Sequence, residues 1–268
     1  MSTQTFPVNG PIDLQARLCR GSLTIDAQDG LSEASVQLTA RHSDSDILDR
    51  VVVELRGRTL VVTAPREGGV FDLPFFGNRS RDAVDVVVRV PTGTPVKAST
   101  FSADVIIRGE VGGADIAAGA ADIGAEHIAG DLRLRYGSGK CKIVQVDGSV
   151  EARSGSGKAQ FGRIEGSLSA GCGSGELLVR SVGGRVRSRA GSGTFTLNAV
   201  HGDVDLASGS GPMNIGLPAG RPARLDLHTG SGRVNSELPI DDVPMSKGEP
   251  ISVRARTGSG DIHLFRAS

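Results

Sequence analysis

The sequence predicts an all-β protein: a parallel two-sided β-solenoid of eighteen-residue coils, preceded by an N-terminal β cap. Three observations carry this. Gly-Ser-Gly returns every eighteen residues, beginning at Gly137, Gly155, Gly173, Gly191 and Gly209. A second glycine keeps the same step at Gly112, Gly130, Gly148, Gly166, Gly184, Gly202 and Gly220. Between these glycines apolar and polar residues alternate with period two. A short fixed period is the mark of stacked repeats, and period two is the mark of a strand with one face inward.

Positions are counted from the first glycine of each Gly-Ser-Gly. Position 5 carries Val105, Ile123, Cys141, Ala159, Leu177, Phe195 and Met213, and position 7 carries Ile107, Ala125, Ile143, Phe161, Val179, Leu197 and Ile215. Nine residues on, position 14 carries Ala114, Leu132, Val150, Leu168, Val186 and Val204, and position 16 carries Ile116, Leu134, Ala152, Ala170, Ser188 and Leu206. One coil therefore reads as strand, corner, strand, corner. The glycines at positions 3 and 12, among them Gly130, Gly148, Gly166, Gly184 and Gly202, are expected at corners with positive φ. Side-chain sizes trade across the thin core, Phe161 facing a strand that offers Ala170.

The remaining elements follow from the same alternation. Residues 1–100 stand outside the repeat register and read as cap strands. Ile12–Leu18, Leu23–Ile25 and a run from Val36 alternate; Val51–Leu55 and Leu60–Ala64 flank Arg56-Gly57-Arg58 as a hairpin; Ala83–Val90 alternates and stops at Pro91. A loop is expected at 66–82. Its Phe71, Phe75 and Phe76 form a candidate partner contact, the other reading being a loop folded over the end of the core. Residues 101–268 read as the solenoid, with an irregular spacer at about 236–251 that holds Pro239, Pro244 and Pro250. Asp261–Phe265 is expected to close the stack as its final strand. Solenoid ends need caps because an open coil exposes unpaired edge groups.

Composition narrows the function classes. In 268 residues there are 38 glycines, no Trp and a formal net charge of zero, which suits a core two strands thick and gives no bulk attraction to nucleic acid. Three cysteines, Cys19, Cys141 and Cys172, are an odd number at irregular spacing, neither a disulfide framework nor a metal site. Met1 to Gly10 has no basic start and no apolar run, and no stretch approaches the roughly 20 apolar residues of a membrane span, so a cytoplasmic protein is expected.

The passage Val84-Asp-Val-Val-Val-Arg-Val-Pro91-Thr-Gly-Thr-Pro-Val96, followed by iterated Ser-Gly-x-Val-x-Val units, resembles the bacterial family called DUF4097 or Toastrack. The resemblance runs from about residue 35 to the end. The Asp that often follows the family's Ser-Gly is replaced here by Lys140, Lys158, Glu176 and Thr194, and kept at Asp104, Asp122 and Asp261. The resemblance implies a β-solenoid-like fold without established catalysis, in a family also labelled candidate adhesins and linked to membrane proteins or envelope stress.

No motif names a reaction. At Gly139-Lys140 and Gly157-Lys158 the first glycine of a phosphate loop is replaced by Leu134 and Ala152, and its hydroxyl residue by Cys141 and Ala159. A calcium roll would need a regular Asp ladder in the corners, which the sequence lacks. For a carbohydrate-active β-helix enzyme the nearest carboxylates are Asp104 with Asp122, and Asp203 with Asp205 beside His201; outward acids on a solenoid ordinarily form a solvated face. No catalytic, cofactor or metal residues are assigned. The ladder Ser138, Ser156, Ser174, Ser192 and Ser210 would align hydroxyls along one edge, and Lys140, Lys142, Lys158, Arg163 and Arg180 would make the middle rungs basic. The reading is a non-enzymatic structural or interaction module, a rod that binds a protein partner or a second copy of itself as a homo-oligomer. The alternative is an adhesin-like or envelope-stress-associated binding protein.

Overall fold

The computed structural model describes residues 1–42, 46–65, 83–238 and 250–267. The chain divides into two compact units, Met1–Gly130 and Asp131–Ser268.

Unit 1 contains β1 (Ser2–Pro7), β2 (Asp13–Gln28), β3 (Glu33–Ala40), a single helical turn α1 (Ile47–Arg50), β4 (Val52–Arg56), β5 (Thr59–Thr63), β6 (Val84–Pro91), β7 (Val96–Val111), β8 (Ala114–Ala120) and β9 (Ile123–Ile128). The expected hairpin is present: β4 and β5 pair antiparallel around Gly57, whose φ of 61° is the left-handed conformation that glycine adopts without penalty. Strand β3 pairs antiparallel with both β1 and β6, and these antiparallel strands form the cap.

The lead-in also holds a complete parallel rung. Strand β2 stacks on β7 in register, Leu14 on Val96 and Leu23 on Val105. Its other edge takes β5 beside its first half and β6 beside its second. Rungs therefore stack out of chain order, with β5 and β6 outside β2. The hairpin explains the inversion. Strand β4 fills the outer edge of β5 antiparallel, so only the inner edge of β5 is left for a parallel neighbour. Residue 100 lies inside β7.

Unit 2 contains β10 (Leu132–Val146), β11 (Val150–Ile164), β12 (Leu168–Val182), β13 (Val186–Leu197), β14 (Val204–Ser210), β15 (Met213–Leu217), β16 (Ala223–Ser231), β17 (Val234–Ser236), β18 (Ile251–Ser259) and β19 (Ile262–Arg266). Successive coils pair parallel at a constant offset of eighteen residues, Leu132 on Val150, Val150 on Leu168, Leu168 on Val186 and Val186 on Val204. Positions 5, 7, 14 and 16 point inward as expected: Ile143, Phe161, Val179 and Leu197 are all at most 3% exposed. Two further inward columns lie at position 10 (Val146, Ile164, Val182, Val200) and at position 18, where Tyr136 and Ser208 are buried.

Two expectations are corrected. First, the ladder of β10 to β13 runs unbroken through Gly-Ser-Gly, so each coil is one long bent strand and one tight corner. Second, positive φ occurs at position 3 only in Gly139, Gly211 and Gly260, and in the second series at Gly220 but not at Gly130, Gly148, Gly166, Gly184 or Gly202. Close approach of stacked backbones is what demands glycine at these bends. A Cβ on Gly166 would lie 2.6 Å from the Gly148 carbonyl oxygen, and one on Gly202 would lie 2.4 Å from that of Gly184.

A third correction concerns the end of the stack. The chain's final strand is not its outermost rung. Strands β18 and β19 pair with β14 and β15 on one side and with β16 and β17 on the other. Apolar content accounts for the order. Ile251, Val253, Ala255, Ile262 and Leu264 are all at most 2% exposed between two neighbours. The outer coil is more polar and leaves Leu225 and Leu227 half-buried and Val234 46% exposed.

Candidate binding face

The Gly-Ser-Gly bend of unit 2 presents a flat edge. Its serines align in seven rungs, in the order Ser138, Ser156, Ser174, Ser192, Ser210, Ser259 and Ser231. All are exposed except Ser210, which is half-buried. Ser210 Oγ donates to Ser192 Oγ at 3.0 Å, so the hydroxyls of these two rungs touch. Glycine on either side leaves no side chain above them. The Gly-Ser-Gly units of the last two rungs are visible in the sequence but their order is not, because Ser259 joins the column before Ser231 does.

Beside this edge the outward columns 15 and 17 run along the same strands. Column 17 reads Arg135, Arg153, Gly171, Arg189, Ala207, Arg256 and His228, and column 15 reads Arg133, Glu151, Ser169, Arg187, Asp205, Arg254 and Asp226. Seven arginines and three carboxylates share the two columns, a formal excess of four positive charges. Each carboxylate is held between two arginines. Glu151 meets Arg133 at 3.4 Å and Arg153 at 3.0 Å, Asp205 meets Arg187 at 3.5 Å and Arg189 at 3.0 Å, and Asp226 meets Arg254 and Arg256, both at 3.1 Å. Each triad nets one positive charge and fixes two guanidinium planes beside the serine edge.

The Asp205 triad leaves an acid signature. Bonding to Arg189 holds the Asp205 carboxyl below the usual carboxylate range, with burial working against it. In unit 1, Asp85 is likewise lowered, first by its bonds to Arg41 and then by the 2.6 Å bond from Ser22 Oγ. A carboxyl whose folded value lies below its unfolded value of about 3.9 stabilises the fold above that pH. That contribution is lost as pH falls through the folded value. Asp205→Asn is therefore expected to cost about 0.2–1 kcal/mol near neutrality and to leave stability less dependent on pH below about 4. Urea midpoints measured from pH 7 to 2.5 check this; parallel curves for the two proteins would contradict it.

The residues weighed for catalysis are structurally engaged. Asp203 accepts from the Ser252 backbone N–H at 3.0 Å and from Arg185 at 2.9 Å, which lowers its pKa, and Asp205 sits in its arginine triad. The His201 carbonyl accepts from Arg221 at 2.6 Å. In unit 1 Asp104 accepts from the backbone N–H of Asp122 at 2.9 Å. These bonds tie one rung to the next, as do Asp131 with the Ser149 N–H and Ser149 with the Ser167 N–H.

Of the predicted basic patch, Lys140 stacks on Lys158 in register with Lys142 on the same strand face, and two members are paired with acids. Lys158 pairs with Glu176 at 2.7 Å and Arg163 with Glu165 at 3.4 Å, while Lys142 and Arg180 occupy other columns. Cys141 is 1% exposed, and burial pushes its thiol up to about 12. Among the described residues no group of three or more His, Cys, Asp or Glu is placed to hold a metal, and no helix is long and apolar enough to cross a membrane. Phe71, Phe75 and Phe76 lie outside the described residues.

Fold and face together define a β-solenoid whose distinctive surface is a hydroxyl ladder bordered by arginine. The chain belongs to the Toastrack DUF4097 family, whose model matches residues 17–268. No curated protein matches it in sequence. Among solved structures it is similar to a candidate adhesin from Parabacteroides merdae, at 12% identity, covering 99% of this chain and 96% of that one with a TM-score of 0.41. It is also similar to a candidate lipid-binding protein from Parabacteroides distasonis, at 18% identity over 98% and 97% of the two chains with a TM-score of 0.38.

Proposed function

We propose that the chain is a non-enzymatic binding module that engages an anionic partner along the arginine-bordered serine edge of unit 2. The observation that carries this is the repetition of the Arg–carboxylate–Arg triad at Glu151, Asp205 and Asp226. A carboxylate between two arginines preorganises them at little further entropic cost on binding. The surplus charge draws anions, and the flat edge lets a long partner approach without steric hindrance. The carboxylates at Asp203 and Asp205 serve as structural acceptors, consistent with a module that binds without turnover.

Replacing Arg153, Arg189 and Arg256 together by Ala tests the reading. Two probes are used: vesicles containing anionic phospholipid, and a sulfated polysaccharide. Each arginine near an anionic surface contributes about 1 kcal/mol, so the triple variant should bind on the order of 100-fold more weakly than wild type at low salt. Wild-type binding should also fall as salt rises. Equal binding by the two proteins, or no binding of either probe by wild type at low salt, would overturn it.

A further inference from the structure

The stack of unit 2 ends on the coil of β16 and β17. Unit 1 carries antiparallel cap strands, but among the described residues β16 pairs with β18 on one edge and with no strand on the other. Edge strands are ordinarily blunted by proline, lysine, a bulge or an inward-pointing charge. Ala223–Thr229 has none of these, and it pairs with β18 in unbroken register. Its inward residues, Ala223, Leu225, Leu227 and Thr229, are only half-buried, while Arg224, Asp226 and His228 point outward.

The backbone shows which groups this edge offers. The Ile251 N–H donates to the Pro222 carbonyl oxygen at 2.9 Å, so the carbonyl of Pro222 faces β18. Backbone groups alternate from side to side along a strand, which turns the N–H and C=O of Ala223, Leu225 and Leu227 away from β18. The proline therefore withholds no donor from the outer edge.

We propose that this edge is a dimer interface, in which β16 pairs antiparallel with β16 of a second copy about a two-fold axis at Leu225. In that register Leu225 meets its own counterpart and Ala223 meets Leu227, so all three use their outward N–H and C=O groups. On the outward face Arg224 of each copy stands opposite Asp226 of the other, and Asp226 is already fixed in place by Arg254 and Arg256. Opposite charges directly across an antiparallel pair stabilise it and like charges destabilise it. Moving the axis to Arg224 or Asp226 would set like charges against each other, and moving it to Leu227 would leave Arg224 opposite Gly230. The pairing continues the sheet, covers Leu225 and Leu227, and places the arginine columns of both copies on one face. Such an interface is isologous and closes at two copies.

Light scattering over a concentration series of the full chain tests this. The mass should rise to twice that of the monomer and stop. Leu227→Pro removes an N–H that faces outward and none that faces β18, so it should hold the chain monomeric where wild type is dimeric. Arg224→Glu opposes two carboxylates at each of the two cross-strand pairs and should raise the dimer dissociation constant on the order of tenfold. Asp226→Lys opposes two cations at the same places. An equimolar mixture of these two single variants restores both opposite-charge pairs and should dimerise more tightly than either variant alone. A monomer at every concentration, a mass that grows past two copies, or a dimer indifferent to Leu227→Pro or Arg224→Glu would overturn the proposal. So would a mixture that dimerises no better than its components.

Discussion

A chain that stops before Pro250 is expected to lose much more than one coil of unit 2. In a stack held by nearest-neighbour interfaces, removing an end rung costs one interface and removing an inner rung costs two. Strands β18 and β19 are inner, lying between β14 with β15 and β16 with β17. Four of their side chains, Ile251, Val253, Ile262 and Leu264, are at most 2% exposed. At 1.5–3 kcal/mol each, their burial contributes about 6–12 kcal/mol, comparable to the whole stability of an ordinary domain. Removing them should also release β16 and β17, which pair with β18 and β19. Limited proteolysis of the truncated chain should then cut readily within 223–236, and adding the peptide 250–268 should restore protection. Continued protection of 223–236 without that peptide would show that the outer coil restacks directly on β14 and β15, so that the inserted rung is dispensable.

The inserted rung shows what a periodic sequence can and cannot say. Each residue's place within a coil is legible, because Leu132, Val150, Leu168 and Val186 repeat at one step and pair in that register. The order of coils is not legible from the columns. Val204, Val253 and Leu225 all suit one column, so the pattern alone does not decide which neighbours which. Buried apolar content and the β4–β5 hairpin decide it, and both act over distances that a local pattern does not encode. The glycines were legible as bends but not in their reason, since the crowding of Gly166 by Gly148 arises only once coils stack. The same holds for the binding face. The serine ladder is visible as a repeat, but the arginines that clamp Asp226 come from another coil, 28 and 30 residues further along the chain.

Phe161→Ala is expected to destabilise the protein by about 3–5 kcal/mol, measured as a shift of the urea midpoint. Phe161 is 3% exposed and stands in its column between Ile143 and Val179. Position 16 carries only Ala152 and Ala170 in this coil and the one before it. Alanines have no side chain to swing into a vacated space. The backbone cannot close the gap either, because β11 is fixed by parallel ladders to β10 and β12 along its whole length. The cavity term should therefore be near the top of its range rather than relieved by collapse. Phe265 supplies the contrast: it is only half-buried, with its ring 5.7 Å from that of His263, and its removal should cost about 1 kcal/mol. If the two substitutions cost the same, core packing around Phe161 is looser than the register implies. If only Phe161→Ala is severe, the thin core depends on its few large side chains, and the scarcity of aromatics in this chain makes each of them hard to replace.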